Sequence, residues 1–171
     1  MTGHGRLPVV LPPGPGERLS SWIARLALLY AMTVPEFLSA LGLPGRDVFD
    51  LEWRLSEGEG ALVAARTGLS SEAVQAMTFR DLMPDARIMI ARRYGRRCPA
   101  CASDIHLKAT ALPWVFRCPV HGTDLQDVAG GSLPDTLGAE VMATLEAPAK
   151  AGAALLEAWS SGEEQNGFGP V

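Results

Sequence analysis

Three cysteines and one histidine lie in two short clusters with the spacing of metal ligands. In each cluster two residues lie between the two potential ligands. The clusters are Cys98-Pro99-Ala100-Cys101 and Cys118-Pro119-Val120-His121, and sixteen residues separate them. This spacing lets a tight turn aim both side chains at one ion. Zinc suits mixed thiolate and imidazole donors. We therefore expect one structural zinc ion with a Cys3His ligand set: Cys98, Cys101, Cys118 and His121.

Four protein ligands close the coordination sphere, so no position remains for a catalytic water. A thioredoxin-like redox site would use one Cys-x-x-Cys near a βαβ pattern, whereas this chain has a second ligand pair and no such pattern. A zinc nucleobase deaminase would add an upstream His-x-Glu, which the sequence lacks. We expect a protein that is not an enzyme. His106 is an alternative ligand, although its place between the clusters favours surface exposure, and His4 is expected to be inert.

A basic segment leads into the first cysteine pair. Residues 87–117 hold seven basic residues and one acidic residue, in a chain whose net charge is −4. Guanidinium groups pair well with phosphate, and the candidates for DNA contact are Arg92, Arg93, Arg96 and Arg97. The alternative is a solvated face, or neutralisation of residues 118–171, which hold eight acidic residues and one basic residue. In an acidic chain any DNA contact should be local and salt-sensitive.

Helical periodicity precedes this segment. Apolar residues recur at three-and-four spacing from Leu19 to Tyr30, which predicts a helix over about 18–31. Thr33 and Glu36 have capping-box spacing and Gly42 suits a helix end, so a second helix is expected over about 34–41.

Two helix pairs have features of a helix-turn-helix. Ala64, Gly68 and Val74 supply a small contact residue, a turn glycine and a branched packing residue, and a looser version occurs at Ala27, Ala31 and Phe37. A plain α-hairpin that packs a core is the alternative. Recognition helices usually present Arg, Lys, Asn or Gln to bases. The outward positions here include acids and serines, which disfavours direct base reading: Glu36, Ser39, Ser71, Glu72 and Gln75.

The predicted fold class is mostly α, with helix-turn-helix-like pairs followed by a small zinc ribbon and a helical C-terminal segment. Four segments are expected: a proline-rich extended lead-in over 1–17, a helical region over 18–86, a basic segment with the zinc ribbon over 87–127, and a helical, partly flexible tail over 128–171. The aromatic, β-favouring stretch Leu112–Arg117 predicts a ribbon strand whose Trp114 and Phe116 cover the metal loops. A tail helix is predicted over about 136–160.

The length and composition of the chain limit which classes of protein it can belong to. With 171 residues the chain suits one compact domain or two small modules. No apolar run approaches the length of a membrane helix, and residues 1–12 do not form a secretory signal. An odd number of cysteines does not make a disulfide framework. We expect a cytoplasmic protein without a membrane span.

The order of these pieces resembles the TniQ family. The resemblance runs from about Leu7 to Leu125 and rests on a proline-rich start and several short motifs, which are Glu17–Ala27, Leu69-Ser70, Arg97–Cys101, Trp114 and Cys118–Leu125. TniQ proteins, including TnsD-like target selectors, are accessory factors of DNA transposition with helix-turn-helix and zinc-finger modules. The resemblance places the family's metal ligands on the same three cysteines and His121, whereas its DNA-binding residues do not carry over clearly.

The resemblance implies a target-selection adaptor that links target DNA, or a CRISPR effector, to an AAA+ transposition ATPase. DNA would be contacted through local backbone contacts, and self-association is a further expectation. Many family members have long C-terminal domains for target recognition, so the 171 residues here favour a compact adaptor. The alternative function is a zinc-stabilised protein–protein interaction or regulatory module without direct DNA binding.

Overall fold

The fold is that of a computed structural model, which describes residues 5–90, 95–101, 104–127 and 139–162. Within these residues the protein is mostly helical, as predicted. The α-helices are α1 (Leu19–Leu29), α2 (Val34–Leu41), α3 (Val48–Arg54), α4 (Glu57–Thr67), α5 (Ser71–Ala76) and α6 (Ala139–Ser161). Short 3₁₀ helices span Pro84–Met89 and Lys108–Ala111, and the strands are β1 (Arg96–Arg97) and β2 (Gln126–Asp127).

The chain forms two compact units, and neither is contiguous in sequence. The helical unit contains Met1–Arg80 together with Asp104–Lys108, and the zinc unit contains Asp81–Ser103 and Ala109–Val171. Asp104–Lys108, which lies between the two ligand pairs, is therefore part of the helical unit. Its backbone is fixed there because Arg18 N–H donates to His106 O at 2.9 Å and Lys108 N–H donates to Gly16 O at 2.8 Å.

Helix α1 is the central element of the helical unit. Leu19, Trp22, Ile23 and Leu26 are buried along one face, as their spacing predicted. The Trp22 indole N–H donates to Leu11 O at 2.8 Å, which holds the proline-rich lead-in against the helix. The helix ends at Leu29, two residues before the predicted boundary.

Side-chain caps set the ends of the next helices. Thr33 and Glu36 form the predicted capping box of α2, and Gly42 ends this helix with a φ of 92°. Ser56 and Glu59 form a second capping box at α4. Gly68 ends α4 with a φ of 75°, so the turn glycine of the second helix pair is in the left-handed conformation that its pattern predicted.

Helix α3 was missed by the sequence analysis. Its local signal is Asp47, whose carboxylate accepts from the backbone N–H groups of Phe49 and Asp50 at 2.9 and 3.0 Å. The helix buries Val48, Leu51 and Glu52. With seven residues, α3 is too short for the spacing of its apolar residues to reveal a helix.

Charged side chains are buried beside this apolar core. Arg18 donates through Nε to Glu52 Oε1 at 2.8 Å, and a second, shorter bond joins Arg18 Nη2 to Glu52 Oε2. The side chains of Arg18 and Glu52 are 1% and 0% exposed. The equally buried Glu17 carboxylate accepts from Arg25 at 2.7 Å. The Arg18–Glu52 bonds join the start of α1 to α3, and each of the two buried carboxylates is paired with a cation.

The zinc unit contains the only two strands of the described residues. Strands β1 and β2 pair antiparallel, and an isolated bridge joins Arg117 to Asp124. The predicted strand over 112–117 is wrong, because Pro113 lacks an N–H and Val115 N–H turns back to Leu112 O at 3.1 Å. Trp114 is buried as expected, whereas Phe116 is 49% exposed and does not cover the metal loops.

Helix α6 ends at Ser161, one residue after the predicted end, and the predicted start over 136–138 lies outside the described residues. Met83 N–H donates to Ser160 O at 2.9 Å, which holds the end of α6 beside the first 3₁₀ helix. Among the described residues no single helix is long and apolar enough to span a membrane, although α1 and α2, which meet at 94°, pass that test of length and composition together.

Candidate metal centre

Two tight turns present the four ligands. Cys98 directly follows β1, and Cys101 N–H donates back to Cys98 O at 3.3 Å. In the second turn Gly122 N–H donates to Cys118 O at 2.8 Å, and Gly122 has a φ of 66°. A positive φ is natural for glycine and costly for other residues. The glycine after His121 therefore closes the turn that aims Cys118 and His121 at the same point.

The four donor atoms converge within 4.8 Å of one another. His121 Nδ1 lies 3.5 Å from Cys98 Sγ, 3.4 Å from Cys101 Sγ and 3.7 Å from Cys118 Sγ. The sulfurs of Cys101 and Cys118 are 3.7 Å apart. The structure thus brings all four predicted ligands together.

These separations fit a zinc ion. With Zn–S bonds of about 2.3 Å and a Zn–N bond of about 2.1 Å, a tetrahedron places sulfurs about 3.8 Å apart and sulfur about 3.6 Å from nitrogen. A disulfide needs a sulfur–sulfur distance of about 2.0 Å, and the three cysteines are free. Cys98, Cys101, Cys118 and His121 form a Cys3His site for one structural zinc, with Nδ1 as the imidazole donor.

The thiols of the metal-free cluster differ in acidity. Burial opposes ionisation of Cys98, but hydrogen bonds from the Thr123 hydroxyl and the Ala100 N–H lower its pKa to about 6. Burial and the neighbouring sulfurs of Cys118 and Cys98 raise the pKa of Cys101 to about 12. Cys98 therefore ionises readily, and its negative charge opposes ionisation of the neighbouring Cys101. A divalent cation removes this opposition because it binds all the sulfurs as thiolates.

The other histidines have different surroundings. His106 lies in the helical unit, where its backbone N–H donates to Ser21 Oγ at 3.0 Å, and it does not belong to the metal cluster. His4 lies outside the described residues.

The four arginines proposed for DNA contact are placed unequally. Arg92 and Arg93 lie outside the described residues. Arg97 is exposed. Arg96 is half-buried and donates to Val115 O at 2.8 Å and to Leu112 O, so part of its guanidinium holds the loop between the ligand pairs. Burial lowers the pKa of Arg96, and its guanidinium still carries a positive charge.

The helix pairs present little positive charge. Glu36 in α2 and Glu72 in α5 are exposed, and both lie in the first turn of their helix. Arg66 is buried at the end of α4, where it donates to Gly5 O at 3.0 Å and to Ala40 O at 3.3 Å. Glu36 and Glu72 place negative charge in N-terminal turns that could otherwise bind phosphate. These surfaces do not resemble a base-reading helix.

Sequence reasoning missed Thr123, whose hydroxyl lies 3.1 Å from Cys98 Sγ. It also missed the structural use of Arg96 and the buried pair Arg18 and Glu52. The adjacent charges Glu17 and Arg18, at the start of an apolar helix, were the signal for buried ion pairs.

The comparisons with known proteins agree with this architecture. The sequence profile of the TniQ family matches residues 8–125, which is more than half of the chain. No curated protein matches it closely enough to indicate relationship. The matched span contains helices α1 to α5 and the complete Cys3His site. The chain therefore belongs to the TniQ family, and it is an accessory protein associated with DNA transposition.

Proposed function

We propose that this chain is a target-selection adaptor that links target DNA, or a CRISPR effector, to an AAA+ transposition ATPase. The observation that carries the proposal is the family match across both the helical unit and the zinc site. A closed Cys3His site supports a non-catalytic role, because all four positions of a tetrahedral zinc are taken by protein. The adaptor acts in the cytoplasm, where transposition machinery meets DNA.

DNA is contacted locally by the basic segment before the zinc site. Exposed Arg97, which β1 holds beside the metal turn, supports this assignment, and Arg92 and Arg93 extend the same run in sequence. Arg96 adds charge while it holds the ribbon loop. The acidic, internally capped helix pairs leave the helical unit better suited to protein contacts than to base reading.

A gel shift at several salt concentrations tests the DNA half of the proposal. Replacing Arg92, Arg93 and Arg97 by Gln should weaken binding and reduce the salt dependence by about one unit of slope for each lost phosphate contact. Arg96 is kept in this variant because its bonds to carbonyls are structural. Arg117→Gln is the matched control, since Arg117 is an exposed arginine of the same unit that pairs with Asp124 at 3.0 Å.

The alternative is a protein–protein interaction module that does not bind DNA. It is favoured by the exposed acidic residues Glu36 in α2 and Glu72 in α5. Absence of binding at every salt concentration would establish this alternative over direct DNA contact. Co-purification of the full chain with an AAA+ transposition ATPase from the same host tests the adaptor role separately, and failure to recover the ATPase would contradict that role.

A further inference from the structure

The threonine that follows the second metal turn reaches back to a ligand of the first. Thr123 Oγ1 lies 3.1 Å from Cys98 Sγ, although 24 residues separate them in sequence. The backbone fixes this reach, because Cys118 N–H donates to Thr123 O at 2.8 Å and Gly122 adopts a left-handed turn. The hydroxyl therefore links the second metal turn to the first through a contact that does not involve the metal ion.

Cys98 is one of the two buried cysteine ligands, and such a donor matters for its thiolate. It is 5% exposed, so few water molecules can solvate its sulfur. A Cys3His zinc site carries one more negative charge on its ligands than the ion supplies, and a buried thiolate without donors is costly. Hydrogen bonds to metal ligands fix their orientation and tune the metal.

We propose that the Thr123 hydroxyl donates a hydrogen bond to the zinc-bound Cys98 thiolate, which makes Thr123 a positioning residue of the metal centre. A thiolate has no proton to give, so the hydroxyl must be the donor once zinc is bound. The assignment concerns the metal site alone and does not depend on the proposed function.

Substitutions in the full chain test this assignment. Thr123→Val keeps the shape of the side chain and removes the hydroxyl, and Thr123→Ser keeps the hydroxyl and removes the methyl group. Asp124→Asn is the matched control, because it alters the neighbouring exposed ion pair with Arg117 and leaves the thiolate contact in place. Zinc affinity is measured by competition with a chromogenic chelator, and the thiolate-to-metal absorption is measured with Co²⁺ in place of zinc.

Thr123→Val should lower zinc affinity about tenfold, at the weaker end of the effects of outer ligand partners. Its Co²⁺ charge-transfer bands should move to longer wavelength, because loss of the hydrogen bond raises the energy of the sulfur lone pair. Thr123→Ser and Asp124→Asn should match the parent in both measurements.

Two results would overturn the assignment. One is a parent-like affinity and spectrum for Thr123→Val. The other is an equal loss in Thr123→Ser, which would show that packing of the methyl group matters rather than the hydroxyl. If Thr123→Val does not fold, Thr123→Ala removes the hydroxyl without added bulk, and its spectrum at saturating Co²⁺ decides the question in the same way.

Discussion

At the scale of single residues, the zinc ligands are distinguished from other metal-binding side chains by their surroundings. His121 offers Nδ1 to three sulfurs at 3.4–3.7 Å, whereas His106 is placed in the helical unit by backbone bonds. Both side chains are imidazoles, so the difference lies in their positions, and the turn at Gly122 places His121 beside the sulfurs. The residue types show which side chains could bind zinc, and the local backbone conformation determines which of them do.

His121→Ala should release zinc, while His106→Ala should retain it. Loss of one ligand opens the coordination sphere and weakens a site whose binding free energy also stabilises the fold. Metal content of the purified proteins, followed by circular dichroism before and after chelation, checks both variants. Equal zinc retention by the two proteins would contradict the assignment of His121 as a ligand.

At the scale of elements, each helix pair has a residue in the left-handed conformation after its first helix. Ala31 occupies the position in the first pair that Gly68 occupies in the second, and both have a positive φ, 52° and 75°. Alanine in this conformation is strained by roughly 1–2 kcal/mol. The first pair therefore makes its turn with a strained alanine where the second pair has a glycine.

Ala31→Gly should therefore stabilise the protein by about 0.5–1 kcal/mol. The strain energy that is relieved exceeds the free-energy cost of the extra conformational entropy that glycine gives the unfolded chain. Ala65→Gly is the matched control, because Ala65 is exposed inside α4 and glycine there should cost about 1 kcal/mol. Urea denaturation of the zinc-loaded proteins measures both changes. Destabilisation by both substitutions would show that Ala31 is not strained.

The cap of α2 should make stability depend on pH. Bonds from the Thr33 hydroxyl and then the Thr33 N–H lower the pKa of Glu36 below its ordinary value of 4.5. Since the pKa of Glu36 is lower in the folded state, its stabilising contribution to folding is complete above pH 4.5. This contribution is lost as the pH falls through the pKa of the folded state. Glu36→Ala should destabilise the protein at neutral pH, and the difference from the parent should shrink in acid. A difference that stays constant with pH would contradict this linkage.

At the scale of the whole molecule, long-range contacts decide how the segments combine. Asp104–Lys108 leaves the zinc unit between the two ligand pairs and belongs to the helical unit. Within that unit the bond between Arg18 and Glu52 spans 34 residues of sequence. The TniQ match over residues 8–125 includes this whole segment and both ligand pairs.

Glu52→Ala should cost about 3–5 kcal/mol, because it leaves the Arg18 guanidinium buried without its carboxylate. The double variant Arg18→Met with Glu52→Leu should recover most of that loss, since it removes both charges and keeps apolar volume. Chemical denaturation of the zinc-loaded chain provides the comparison. A double variant as unstable as Glu52→Ala would show that the pair contributes more than mutual neutralisation.

The zinc ligands, the capping box at Thr33 and the turn at Gly68 were predictable from the sequence, because each is marked by residue types at a short spacing, as within the two ligand pairs. The family was predictable from the same motifs. The fold was needed to show that Arg96 binds carbonyls of the loop between the ligand pairs and that Thr123 contacts Cys98. The partners in these two contacts lie 19 and 25 positions apart in the sequence, so no local sequence pattern indicates them.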